Sequence, residues 1–300
     1  MKLITTEPDR RRVAQGSKPA PAKQVDMAYL TLELAAALGR HLDLETLIDH
    51  FSRRLGDVLP HDSLSFRHQL AGDWRVIAHG SGGRHSCAYE LKVEDLFLGT
   101  LRITRRQRFE ESELATLEQL VGVLVYPLRN ALLYRRAQYD AATDPLTGLS
   151  NRGVFGEALP REISRSLRYG TALTLLMVDL DNLKALNDGA GHGAGDRGLQ
   201  RVAQALRLGL RDSDHVFRYG GDEFAVLLVG SEGGAGRDVA ERLRRQVEGL
   251  PVDPGAAQLT LSIGLATLRA TDTPESLFER ADAALYRAKK GGRNRVEEAE

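Results

Sequence analysis

Apolar residues along the 300-residue chain follow two successive regimes. From Ala28 the spacing is helical. Leu30, Leu32, Leu34, Ala35 and Leu38 form one run and Leu44, Leu47, Ile48, Phe51 and Leu55 a second, which predicts two short helices. Four β-prone stretches follow, Ser63–His68, Trp74–His79, Ala88–Val93 and Leu96–Thr104. Phe109-Glu110-Glu111-Ser112-Glu113 then opens a long helix, its acids suited to the positive end of the helix dipole. That helix carries Leu114, Leu117, Leu120, Val121, Leu124, Leu128, Leu132 and Leu133, and Pro127 predicts a kink or a break in it.

The second half is punctuated differently. Asp144-Pro145 and Gly148 mark a turn, Asn151 is placed to start a helix over about 152–168, and Thr171–Val178 is a continuous apolar run of the kind a central buried strand shows. This run ends in Asp179-Leu180-Asp181, and acids at the end of a buried strand are costly unless they face a cation or an open edge. Asp179 is therefore a site candidate. Arg218-Tyr219-Gly220-Gly221-Asp222-Glu223-Phe224 lies between the β-rich runs Asp214–Phe217 and Phe224–Val229 and reads as a hairpin tip. Its paired glycines permit a tight turn and leave no side chain to obstruct a ligand, and two carboxylates follow directly.

Composition narrows the classes. With 42% hydrophobic and 27% charged residues the chain is ordinary for a globular protein of about two domains. Lys plus Arg and Asp plus Glu both number 41, which gives no sign of a nucleic acid polymer or an anionic membrane as partner. The single cysteine, Cys87, excludes an intramolecular disulfide and reads as a small buried apolar residue. The most apolar long segment, Leu114–Tyr134, is interrupted by Glu118, Gln119, Arg129 and Asn130, so no membrane span is expected. No leader core is visible in residues 1–24, and the expected setting is cytoplasmic. Residues 1–25, polar with Arg10 to Arg12, Pro19 and Pro21, are expected to be a disordered tail.

Magnesium takes hard oxygen ligands, commonly one or two carboxylates together with substrate phosphates. Asp179 at a strand end and Asp222 and Glu223 at a hairpin could converge on such an ion if their strands are neighbours.

Two resemblances follow from the motifs. Residues 26–139, with helices, antiparallel strands, a Gly99-x-Leu101 strand and Arg108-Phe109 leading into the final helix, resemble a GAF domain. This implies a sensory or dimerisation unit with a connector helix; its ligand is left unknown. Residues 140–300 resemble a GGDEF domain, the catalytic module of diguanylate cyclases, through DPLTGLSNR (144–152), DLDNLKALND (179–188), GHGAGD (191–196), RYGGDEF (218–224), SIGLA (262–266) and ADAALYRAKKGGRNR (281–295). The implied fold is α+β, with a palm-like sheet flanked by helices. The implied reaction condenses two GTP into cyclic di-GMP and two pyrophosphates across a homodimer, with Mg2+, or Mn2+ as substitute. The alternative is a catalytically lapsed nucleotide receptor or scaffold, although both Asp222 and Glu223 remain.

The resemblance also implies roles for individual residues. Asp179, the Leu180 carbonyl, Asp222 and Glu223 would hold metal, with Asp222 as the family's general base. Lys184, Lys289 and Arg293 would meet phosphates or the transition state. Asn187 and Asp196 would read guanine, His192 would lie beside the nucleotide, and Gly220 and Gly221 would let the turn approach it. Leu183 departs from the family's usual Phe. Arg211 and Asp214 stand at the offset of the family's product-inhibition site, with Arg242 or Arg245 to complete it.

Overall fold

The computed structural model describes residues 2–4, 27–231, 234–251 and 258–300, in two compact units, Met1–Tyr139 and Asp140–Glu300. In the first unit, β1 (Lys2–Ile4) precedes α1 (Met27–Leu38) and α2 (Leu44–Gly56). Asp43 caps α2 by accepting from the Thr46 amide at 2.8 Å. Strands β2 (Ser63–Leu70), β3 (Asp73–Gly80), β4 (His85–Val93) and β5 (Leu96–Arg105) form an antiparallel sheet in the order β1-β4-β5-β2-β3. One face carries Leu64, Phe66, Tyr89 and Leu101 into a core shared with α2 and with α3 (Glu111–Ala142). Cys87 is buried there.

One expectation is corrected here and another narrowed. Lys2–Ile4 is no tail: it pairs with the edge of β4 that would otherwise remain open. The rest of the expected disordered tail lies outside the described residues. Of the kink or break expected at Pro127, the break is absent, and α3 runs unbroken to Ala142. The proline forfeits one backbone bond, while buried Leu124, Leu128 and Ala131 hold the helix against the sheet on either side of it.

The second unit begins with β6 (Ser150–Asn151) and α4 (Arg152–Tyr169), which Asn151 caps by accepting from the Val154 amide. Next come β7 (Leu173–Leu180), α5 (Leu183–Ala190), α6 (His192–Leu208), β8 (His215–Arg218) and β9 (Glu223–Val229). It ends with α7 (Ala235–Glu248), β10 (Leu261–Thr267), α8 (Pro274–Lys290) and β11 (Val296–Glu298). The sheet order is β11-β10-β7-β9-β8-β6, with β7 antiparallel to both neighbours. Every residue of β7 is buried, because helices cover both faces. Leu176, Val178 and Leu180 join a core with α6 and α7, whereas Leu173, Leu175 and Met177 join one with α4 and α8, as strand alternation requires. Asp179 therefore points to the α8 side. Gly264 of β10 lets α8 approach: a Cβ there would lie 2.0 Å from the Leu285 nitrogen and 2.3 Å from the Ala281 oxygen. Among the described residues, no helix is long and apolar enough to cross a membrane.

Candidate active site

The end of β7 assembles the acids. Asp179 faces Glu223 of β9 and Ser262 of β10 in register, and the Leu180 amide donates to the Asp222 carbonyl at 2.9 Å. Asp179 is 6% exposed, and Lys289 Nζ, in the last turn of α8, donates to its Oδ2 at 2.6 Å. Burial pushes the Asp179 carboxyl up to about 6; Lys289 opposes that rise, and the neighbouring charges of Asp222 and Asp181 add to it. A buried carboxylate this reluctant to ionise, with a second acid across the ladder, suits a divalent cation that would neutralise both. Among the described residues, no three His, Cys, Asp or Glu side chains gather into a metal cage. Such an ion would depend on phosphate or water oxygens for its remaining ligands.

Backbone bonds shape the hairpin tip. The Tyr219 and Gly220 amides both donate to the Glu223 carbonyl, at 2.8 and 3.1 Å. Glu223 Oε2 lies along Gly220, where a Cβ would come within 2.8 Å of it, while the same construction at Gly221 meets open space. Arg218 clamps the tip from behind. Its Nη1 donates to both Asp144 oxygens, at 2.8 and 2.9 Å, and its Nη2 to the Gly221 carbonyl at 2.8 Å. Burial works against the Asp144 charge, yet the Thr147 hydroxyl and the Arg218 guanidinium hold its carboxyl below the usual range.

Sequence reasoning gave Asp144, Arg218 and Asp181 no individual role. Asp181 is buried and accepts from Thr260 Oγ1 at 2.8 Å, Ser262 Oγ at 2.7 Å and the Asn294 amide at 3.1 Å. It thereby ties the end of β7 to the turn after α8, where Arg293 and Asn294 adopt left-handed backbone at φ 61° and 45°. The only signal for it in the sequence was a second acid two residues after Asp179.

The remaining candidates occupy two further places. Asn187 of α5 packs its Oδ1 against Gly195 of α6, where a Cβ would lie 2.0 Å away; that oxygen is buried and has no partner. Asp196, next to Gly195, is exposed in the second turn of α6 and does not cap the helix, which starts at His192. Lys184 and His192 are exposed, on α5 and at the start of α6. Away from the tip, Asp214 closes the α6–β8 turn, accepting from the Arg211 amide at 3.1 Å and the Val229 amide at 3.2 Å. Arg242 Nη2 donates to the Gly209 carbonyl at 2.9 Å, in the same turn, whereas Arg245 pairs with Glu241 on its own helix.

The profile of the family described as "Diguanylate cyclase, GGDEF domain" matches residues 141–295, just over half of the chain. The chain belongs to the GGDEF-domain family. Diguanylate cyclase DgcP of Pseudomonas aeruginosa is 45% identical over 161 residues, covering 53% of this chain but 24% of DgcP. Diguanylate cyclase DgcS of Shewanella oneidensis is 31% identical over 298 residues, covering 97% of this chain and 94% of DgcS. The chain thus spans about a quarter of one relative and nearly all of the other. The coiled coil and GGDEF domain of DgcB from Caulobacter crescentus, solved in complex with c-di-GMP, matches at 32% identity with a TM-score of 0.55, covering 63% of this chain and 98% of that one. The expected GGDEF fold, with its α+β sheet and flanking helices, is thereby shown. The profile begins at residue 141, so the GAF resemblance of the first unit lies outside it.

Proposed function

We propose that the protein is a diguanylate cyclase, working in the cytoplasm as a homodimer that condenses two GTP into cyclic di-GMP with release of two pyrophosphates. The observation that carries this reading is the meeting of Asp179, the Leu180 backbone and Asp222 at the end of β7, within a GGDEF domain. In each of two displacements a 3′-oxygen bonds to the α-phosphorus of the facing GTP, the α–β bridging bond breaks, and pyrophosphate leaves. The Asp222 carboxylate accepts the proton of the attacking hydroxyl. Glu223 supports it from the hairpin tip.

A divalent cation, magnesium with manganese as substitute, would be held by Asp179, Asp222 and the Leu180 carbonyl and would supply charge neutralisation at the phosphates. Lys289, already extended to Asp179, meets phosphate together with Arg293 and Lys184. The carboxylate of Asp196 accepts from guanine's N1–H and exocyclic amine, and the Asn187 side-chain amide, whose Oδ1 lacks a partner, completes that recognition. His192 lines the nucleotide's entry, and Gly220 and Gly221 leave it room.

Because each reactant attacks the other, one copy is half a site. The first unit, GAF-like in its strand arrangement, is the dimerisation unit in this reading. Its α1 is apolar on nearly every side, leaving Leu32 70% exposed, and α3 leaves Tyr126 63% exposed. Arg211, Asp214 and Arg242 form the product-inhibition site around the α6–β8 turn. Arg242 is favoured over Arg245 because it already reaches that turn. The deciding experiment measures cyclic di-GMP formation from GTP and Mg2+ against protein concentration. Specific activity should rise with concentration and then level off as dimers form, and absence of product at any concentration would overturn the reading.

A further inference from the structure

The turn after α8 is braced by α7, a helix with no residue among the proposed catalytic groups. Gly292, Arg293 and Asn294 take successive positive φ values of 113°, 61° and 45°. Residues other than glycine avoid that region, so an arginine and an asparagine held there in sequence point to a function for the turn's shape. The fold over-determines Asn294. Its amide donates to the buried Asp181 Oδ2 at 3.1 Å, its Nδ2 donates to Glu248 Oε1 at 2.7 Å, and its Oδ1 accepts from Arg244 Nη1 at 2.7 Å. Arg244 Nη1 also donates to Glu248 Oε2 at 2.9 Å and its Nε to Glu241 Oε2 at 3.0 Å, which closes a ring of hydrogen bonds between α7 and the turn. The Arg244 side chain is 13% exposed, and charge-assisted bonds sheltered from water in this way are the stronger ones.

Arg293 gains from this brace. Its amide donates to the Ala288 carbonyl at 3.0 Å and the Arg295 carbonyl accepts from the Ile263 amide at 2.9 Å, so backbone bonds hold the turn at both ends while the Arg293 side chain stays exposed. A long exposed side chain loses rotamer freedom when it closes on a ligand, and fixing the backbone beneath it lowers that cost. Asp181 stands two residues after Asp179, so the same turn is tied to the strand end where metal and phosphates would sit. We propose that Arg244 is a positioning residue for nucleotide binding: acting through Asn294, it locks the turn that presents Arg293 to the GTP phosphates. Arg244 itself does not touch the substrate. The inference rests on the cyclase reading, and specifically on the phosphate role given there to Arg293.

The test titrates 3′-deoxy-GTP, which lacks the attacking hydroxyl, into the full chain with Mg2+ and follows binding by calorimetry. The wild type should bind with a dissociation constant between about 1 µM and 1 mM. Arg293→Met and Arg244→Met should each weaken binding at least about fivefold. Adding Arg244→Met to Arg293→Met should cost less than about twofold more, because a residue that acts through another then has nothing left to position. Loss of charge alone, or a general loosening of the domain, would weaken both backgrounds equally. Thermal unfolding establishes that the variants are folded; if Arg244→Met is not, Asn294→Gly removes the bracketed amide while glycine keeps the left-handed backbone, and it should behave in the same way. Unchanged binding in folded Arg244→Met or Asn294→Gly, or equal weakening with and without Arg293, would overturn the inference alone. A wild type that binds no 3′-deoxy-GTP at about 1 mM, or an Arg293→Met chain that binds it as well as the wild type, would overturn the reading beneath it as well.

Discussion

Each unit buries a titratable group in its sheet, and the two are treated in opposite ways. Asp179 ends a strand covered on both faces, and the fold answers its charge with Lys289 at 2.6 Å while adding acids nearby. His68 lies on a sheet whose β3 edge is largely exposed, and its Nε2 has no partner among the described residues. One acid keeps a cationic side-chain partner; the imidazole is held neutral by burial without one among the described residues. The lesson is that burial alone does not define a site. What the surrounding elements leave unmet defines it.

The pH dependence separates the two. Burial holds the Asp179 carboxyl at about 6 in the folded protein against an ordinary 3.8, so the native state holds more protons and its stability falls as pH rises through that window. Burial lowers the His68 imidazole instead, so the native state binds fewer protons and stability falls as pH drops below about 6.5. The two groups therefore tilt the stability curve in opposite directions.

The largest effect that would break the catalytic half of this comparison is on turnover. Asp222→Ala should lower cyclic di-GMP formation by more than about a thousandfold, with thermal unfolding unchanged because Asp222 is half-exposed at a turn. Retention of turnover would remove its role. Next, Asp179→Asn should lose activity yet gain up to about 3 kcal/mol of metal-free stability near pH 7.5, at 1.4 kcal/mol per unit of relieved shift. Urea unfolding checks this, and added Mg2+ should stabilise the wild type but not the variant. Gly264→Ala drives a methyl into the α8 backbone and should cost about 3 kcal/mol in the same assay. Arg211→Ala should raise the inhibition constant of cyclic di-GMP at least about tenfold, near 1.4 kcal/mol. The smallest effect is expected from His68→Phe. Removing the unmet nitrogen should leave stability at pH 7 within about 1 kcal/mol of wild type and abolish the loss below pH 6.5.

Much of the second unit was legible in the chain. The all-apolar β7 run ending in an acid, the Gly-Gly turn and the Asn151 cap are local patterns that leave few alternatives, because strand burial, φ freedom and capping act within a few residues. The helices and strands of the first unit were legible for the same reason, from Leu30 to Thr104. At Pro127 local propensity allows a kink or a break, and long-range packing of Leu124, Leu128 and Ala131 excludes the break. The Lys2–Ile4 strand was missed because three residues have no periodicity; only a partner edge makes them a strand.

Tertiary structure alone decided the rest. It set which strands are neighbours, and so brought Asp179 opposite Glu223 across 44 positions of sequence. It put Lys289 on Asp179, Asn294 on Asp181 and Arg242 on the Gly209 carbonyl. It also set His68 and Arg129 along the walls of one cavity that no motif announced. Sequence patterns report short-range geometry and solvent preference, while these pairings depend on how helices cover a sheet, and there the free energy is spread over the whole core.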